Sequence, residues 1–140
     1  MKRDISTLEQ LRDFVREIAA SLWGGEVLGL EGDLGAGKTT FTQMLAQELG
    51  VQAMVKSPTF TLMQEYEVDD NKIKKLVHVD AYRVEDSREF RVIGLFEEAG
   101  AEGTVTVVEW AEKVPELAHI SGYRRLQFAV EEEKRFITVD

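Results

Sequence analysis

Gly32-Asp33-Leu34-Gly35-Ala36-Gly37-Lys38-Thr39 satisfies the pattern GxxxxGK[ST], whose residue types suit one task, holding the phosphates of a nucleotide. Gly32, Gly35 and Gly37 lack Cβ atoms, so the chain can turn successive amide N–H groups inward and let phosphate oxygens approach the main chain. The phosphates then rest on the N-terminus of the helix that follows. Lys38 can reach the β- and γ-phosphates as a point charge, and the Thr39 hydroxyl is a hard oxygen ligand for Mg²⁺. Asp33, Leu34, Gly35, Ala36, Gly37, Lys38, Thr39 and Thr40 are therefore the candidate nucleotide-binding residues. The rival is a glycine-rich turn with an accidental Lys-Thr, expected in roughly a few per thousand chains of this length at average residue frequencies.

Such a loop usually works with an acid at the end of another apolar strand, which holds Mg²⁺ through water or orients the attacking water. Two runs end that way: Leu76-Val77-His78-Val79-Asp80 and Val105-Thr106-Val107-Val108-Glu109. Both carboxylates are expected at the carboxyl edge of the sheet beside the loop, one binding metal and the other polarising water. Lys38, Asp80 and Glu109 are the candidate catalytic residues; Thr39, Glu109 and Asp80 are the candidate metal ligands. Ser57-Pro58-Thr59-Phe60 lies where a switch-like segment could present a hydroxyl, Thr59 included, to the γ-phosphate, although a proline turn accounts for the same string. Arg83 can pair with phosphate or hold a carboxylate, or form an ordinary surface ion pair. His78, inside an apolar run, reads as a satisfied core histidine, and with only His78 and His119 in the chain a histidine metal site has little support. Trp110 can stack on a base or a partner, or pack in the core.

The elements that must position these groups follow from periodicity. Ser6-Thr7-Leu8-Glu9 has capping-box spacing, and Leu8, Leu11, Val15, Ile18 and Leu22 recur at helical spacing, predicting a helix over 7–22. Glu26 to Glu31 is a short apolar strand entering the glycine loop, and Phe41, Leu45 and Leu49 continue as a helix until Gly50. Ala53 to Lys56, Thr59 to Val68 and Ile73 to Asp80 read as strands, the last two joined by a turn at Asp69-Asp70-Asn71. A short helix is expected over 86–93 with Gly94 after it, and Thr104 to Glu109 is a strand of the buried type. Tyr123 to Val130 and Phe136 to Val139 alternate and can pair as a C-terminal β-hairpin across Glu131-Glu132-Glu133.

With 140 residues, 44% of them hydrophobic, the chain suffices for a single domain over 1–140 with one core. No apolar run approaches the roughly 18 residues that span a bilayer, and the start of the chain lacks the apolar stretch of a signal peptide. Cysteine is absent, which removes disulfides and thiolate chemistry and leaves a reducing cytoplasm as the expected compartment. Seventeen Lys plus Arg against 26 Asp plus Glu give a formal charge of −9, which opposes autonomous nucleic-acid binding and membrane docking.

Taken in order, Gly32 to Thr40, Ser57-Pro58-Thr59-Phe60, His78-Val79-Asp80-Ala81-Tyr82-Arg83 and Val108-Glu109-Trp110 resemble the TsaE (formerly YjeE) family over roughly residues 6–110. The resemblance implies a P-loop NTPase-like, three-layer α/β domain whose central parallel sheet is flanked by antiparallel strands, binding ATP or ADP with Mg²⁺. By matching position, Thr39 and Glu109 look like the magnesium shell, Asp80 a second essential acid and Ser57 to Thr59 a switch-like segment. Tyr82 and Arg83 inherit a role near the nucleotide or a partner. It further implies a cytoplasmic ATPase acting with TsaD-like and TsaB-like proteins in making threonylcarbamoyladenosine in tRNA, meeting tRNA only indirectly. A monomer or weak homo-oligomer is expected.

Two other classes share the loop. A small-molecule kinase needs an acceptor pocket and a water-excluding lid, for which the short connections leave little room. A nucleotide-gated interaction module would bind ATP and a partner with little hydrolysis. A GTPase would carry Asn-Lys-x-Asp, and the nearest string, Asn71-Lys72-Ile73-Lys74, ends in the wrong charge, favouring ATP. Slow turnover in isolation is expected, since no arginine finger is evident besides Arg83.

Overall fold

A computed structural model of the chain describes residues 1–33, 35–56, 58, 62–70 and 72–140. The described elements are β1 (Lys2–Asp4), α1 (Leu8–Ala20), β2 (Val27–Gly32), α2 (Lys38–Glu48), β3 (Met63–Glu67), β4 (Lys75–Asp80), α3 (Glu89–Val92), α4 (Leu95–Glu98), β5 (Thr104–Glu109), β6 (Tyr123–Glu131) and β7 (Lys134–Val139). Two 3₁₀ turns, Ala111–Lys113 and Pro115–His119, lie between β5 and β6. The strands form one sheet in the order β1-β7-β6-β2-β5-β4-β3. Its centre, β6-β2-β5-β4, is parallel, while β7 and β1 on one side and β3 on the other run antiparallel. This is the three-layer α/β architecture expected from the sequence, with β2 inserted between β6 and β5.

Strand alternation assigns each apolar side chain to a face. Leu28, Leu30, Leu76, Val105 and Val107 pack with Phe14 and Val15 of α1 and with Phe41 and Leu45 of α2. Val27, Val77, Val79 and Val108 pack with Phe90 of α3, Leu95 of α4 and Leu117 on the opposite side. Each such fully buried side chain contributes roughly 2 kcal/mol of transfer free energy. The result is a rigid slab whose carboxyl edge carries the ends of β2, β4 and β5.

Several boundaries depart from the sequence expectation. Helix α1 is capped by Thr7 with Gln10, not by Ser6 with Glu9, because the Ser6 hydroxyl is taken by Asp4 Oδ1 and by the Arg135 amide. Leu8 lies 63% exposed although it shares the apolar spacing. Ala53 to Lys56 is irregular chain and not a strand; Gln43 Nε2 donates to the Val55 carbonyl at 3.2 Å, occupying an acceptor that a strand neighbour would need. The short helix expected over 86–93 forms as the single turn α3 with Gly94 after it at φ +86°, and a second single turn, α4, follows that glycine without having been expected. The C-terminal hairpin forms as expected and also supplies β6 as the parallel neighbour of β2.

Candidate active site

Strand β2 delivers the chain into the glycine loop, and the loop opens directly into α2 at Lys38. The three glycines serve different ends. At Gly32, φ +136°, a Cβ would stand 2.3 Å from the Phe128 carbonyl oxygen, so this position is dictated by the close approach of β6. At Gly35, φ +80°, a Cβ would meet nothing within 4 Å; the glycine permits the left-handed turn and leaves open space above the loop. Gly37, φ +109°, stands at the N-cap of α2 without a side-chain cap, so the first amides of the helix are left for another acceptor.

Opposite the loop, Asp80 ends β4 and Glu109 ends β5, paired with each other across the parallel ladder. Glu109 is buried, and its two oxygens have different partners: Thr39 Oγ1 donates to Oε1 at 2.7 Å, and His78 Nε2 lies 2.5 Å from Oε2. Asp80 accepts the Tyr82 amide on Oδ1 at 3.0 Å. Lys38 Nζ donates to the carbonyls of Gly32 at 2.5 Å and Asp33 at 2.9 Å, and lies 4.0 Å from the centre of the Trp110 ring. Burial pushes the Lys38 ammonium below its ordinary pKa, opposed by the carboxylates of Glu112, Glu109, Asp33 and Asp80. Trp110 holds φ +61°, a left-handed conformation that places its ring 5.0 Å from that of Tyr82. Lys113 Nζ donates to the Tyr82 carbonyl behind this pair.

A cavity of about 550 Å³ joins these groups. Gly35, Ala36, Gly37, Lys38, Thr39, Thr40, Asp80, Glu109 and Trp110 all line it, together with Tyr82 and Arg83. Asp33 is exposed outside the lining and contributes its carbonyl to Lys38. Leu34, Ser57 and Thr59 lie outside the described residues. The far end of the cavity was not anticipated: Ile5, Ser6, Thr7, Leu8 and Leu11 close it together with Arg135 of β7. Leu8 and Leu11 fit the apolar stripe of α1, so nothing in the pattern marked them as cavity residues; only the juxtaposition of the N-terminal segment, β7 and the glycine loop does so.

The donor set suits Mg²⁺. A hydroxyl and a carboxylate already converge at 2.7 Å, hard oxygens of the kind this ion takes in small number while phosphate and water complete its shell. Among the described residues no group of three or more His, Cys, Asp or Glu is placed to hold a metal ion by itself. No helix among them is long and apolar enough to cross a membrane.

A parallel α/β sheet with a glycine-rich strand-to-helix turn and acids at the neighbouring strand ends defines a P-loop NTPase-like domain. Comparison with known proteins narrows this. The family described as threonylcarbamoyl adenosine biosynthesis protein TsaE matches residues 5–137, and the chain belongs to that family. It is 44% identical over 108 residues to the tRNA threonylcarbamoyladenosine biosynthesis protein TsaE of Bacillus subtilis (strain 168), covering 77% of this chain and 65% of that protein. It is 46% identical over 107 residues to the protein of the same name from Aquifex aeolicus (strain VF5), covering 75% and 72%. The fold is similar to the crystal structure of Bacillus subtilis YdiB, with a TM-score of 0.71 at 34% identity over 99% of this chain and 83% of that one. The alignment thus spans just under two thirds of the Bacillus subtilis relative's length.

Proposed function

We propose that this protein is a Mg²⁺-dependent ATP-binding protein and slow ATPase that serves threonylcarbamoyladenosine modification of tRNA by acting on a TsaD–TsaB-type pair. The observation that carries the chemistry is the Thr39–Glu109 contact at the open end of the glycine loop, with Lys38 beside it. The loop amides and the start of α2 bind phosphate oxygens, and Lys38 leaves the Gly32 and Asp33 carbonyls to meet the β- and γ-phosphates. Thr39 and Glu109 would hold Mg²⁺, which would supply neutralisation of phosphate charge. Asp80, at the neighbouring strand end, orients water. The cavity volume suits a nucleotide, and the apolar side chains of Ile5, Leu8 and Leu11 with the Arg135 cation support seating the base and ribose at that end.

Low basal turnover fits a sequence in which no arginine finger is evident besides Arg83. The formal charge of −9 fits an accessory protein that reaches tRNA only through its protein partners. The relatives' names place them in this pathway, and a cytoplasmic location follows from the same role.

The test is steady-state phosphate release from Mg-ATP by the protein alone and with a purified TsaD–TsaB pair. A marked rise with the pair, absent in Lys38→Ala, is expected. No rise would retain nucleotide binding and replace the TsaD–TsaB role by the gated-module or kinase reading.

A further inference from the structure

His78 is fully buried in β4, surrounded by an apolar strand that would accept Val or Leu without desolvating an imidazole. Its Nδ1 has no hydrogen-bond partner among the described residues, so hydrogen bonding at that nitrogen does not account for the residue. Its Nε2, however, faces Glu109 Oε2 at 2.5 Å across the β4–β5 pair. A carboxylate only accepts, so the ring hydrogen lies on Nε2 and His78 is the donor.

We infer that His78 is a positioning residue for the metal-binding half of the site: it fixes Oε2 of Glu109 on the protein side and so leaves Oε1 as the oxygen presented to Thr39 and the cavity. The terminal torsion of a glutamate is broad and twofold, so a buried carboxylate with one donor could present either oxygen or swing between them. Two donors on opposite oxygens remove that freedom. Thr39 is itself a metal-facing group, which makes His78 the donor on the side away from the cavity. Orienting partners of this kind set the affinity of a ligand for its ion without touching the ion. The inference rests on the Mg²⁺-nucleotide reading above.

The experiment measures Mn²⁺ uptake by the protein–ADP complex, read from the electron paramagnetic resonance of free Mn²⁺, beside calorimetric ADP binding without metal. His78→Leu is expected to bind ADP without metal as the wild type does and to lose about ten- to a hundred-fold in Mn²⁺ affinity. Its ATP turnover falls in kcat with KM little changed. His78→Gln, whose amide nitrogen reaches the Nε2 position, restores most of the Mn²⁺ affinity, while His78→Asn, whose nitrogen stops at the Nδ1 position, does not. Wild-type Mn²⁺ affinity in His78→Leu, or equal affinities in the Gln and Asn variants, overturns the inference; should His78→Leu fail to fold, the Gln and Asn pair decides alone. A wild type that takes up no Mn²⁺ with ADP overturns the Mg²⁺-nucleotide reading as well, and that failure shows before any variant is made.

Discussion

Thr39 Oγ1 and Glu109 Oε1 meet at 2.7 Å although seventy positions separate them in the chain. The contact ties the first turn of α2 to the end of β5, so the glycine loop and the carboxylate opposite it are held in register by the slab of strands beneath them. On the proposed function, groups arranged this way should divide binding from chemistry. Lys38→Ala is expected to weaken ADP and ATP affinity, because it deletes the cation beside the phosphate loop. Glu109→Ala is expected to keep much of the metal-free ADP affinity while turnover falls about a hundred-fold or more. The same variant leaves the buried His78 Nε2 without its acceptor, which costs about 1–3 kcal/mol of stability. Calorimetric ADP titration, single-turnover hydrolysis and urea unfolding measure the three effects; equal affinity losses in both variants would refute the division.

The glycines of one motif should fail differently. Gly32→Ala drives a Cβ to 2.3 Å from the Phe128 carbonyl, a backbone atom that cannot yield without opening the β2–β6 pair. A loss of roughly 3 kcal/mol or more, or no folded protein, is expected. Gly35→Ala meets no neighbour and bears only the left-handed strain at φ +80°, roughly 1–2 kcal/mol. Its methyl group enters the space above the loop, so ADP affinity falls while the fold persists. Urea denaturation beside ADP titration separates the two, and a stable Gly32→Ala protein would contradict the packing argument.

Much of this site was legible because its chemistry is local in sequence. The glycine loop with Lys38 and Thr39, and the acids closing two valine-rich runs, are each contiguous strings whose residue types point to one use. His78 was legible as buried but not as a partner of Glu109, since the pairing depends on β4 lying next to β5 in parallel register. The cavity wall from Ile5 to Leu11 with Arg135 was illegible for the same reason: it is assembled by sheet order, which places β7 and the N-terminal segment near the loop. The shifted cap of α1 shows the limit at finer scale. Ser6 has the right residue type for a cap, but Asp4 and Arg135 claim its hydroxyl, and the capping role passes to Thr7.

The turn between β3 and β4 carries a pH signature. Asp70 Oδ1 accepts the amides of Lys72 at 2.8 Å and Ile73 at 3.3 Å. The Lys72 amide foremost, then that of Ile73, holds the Asp70 carboxyl below its ordinary value of 3.8. A folded-state value below the unfolded one means that the ionised form is favoured by folding, so the contribution is present above 3.8 and is lost as pH falls through the lowered value. Asp70→Ala is therefore expected to melt below the wild type at pH 7, with the difference closing in strong acid. Thermal unfolding across that range measures it, and a gap that stays constant or widens on acidification would contradict the assignment.

On the proposed function, Lys38 and Trp110 should supply an optical report of nucleotide entry. The ammonium lies 4.0 Å from the centre of the indole ring, and the centre of the Tyr82 ring lies 5.0 Å from that of the indole. A cation at this distance is attracted to the ring by about 0.5–2 kcal/mol, less than the charge-assisted contacts that phosphate offers the same group. Lys38 should therefore leave the ring when ADP binds, and the emission of Trp110 should change. The chain's other tryptophan, Trp23, is 72% exposed with Lys72 Nζ 4.8 Å from its ring centre, and it does not line the cavity. Trp23→Phe should keep the ADP-dependent fluorescence change, Trp110→Phe should lose it, and Lys38→Ala should show altered emission before any nucleotide is added. A full ADP response surviving in Trp110→Phe would mean that the ring does not report on Lys38, and the resting contact between them would then play no part in nucleotide entry.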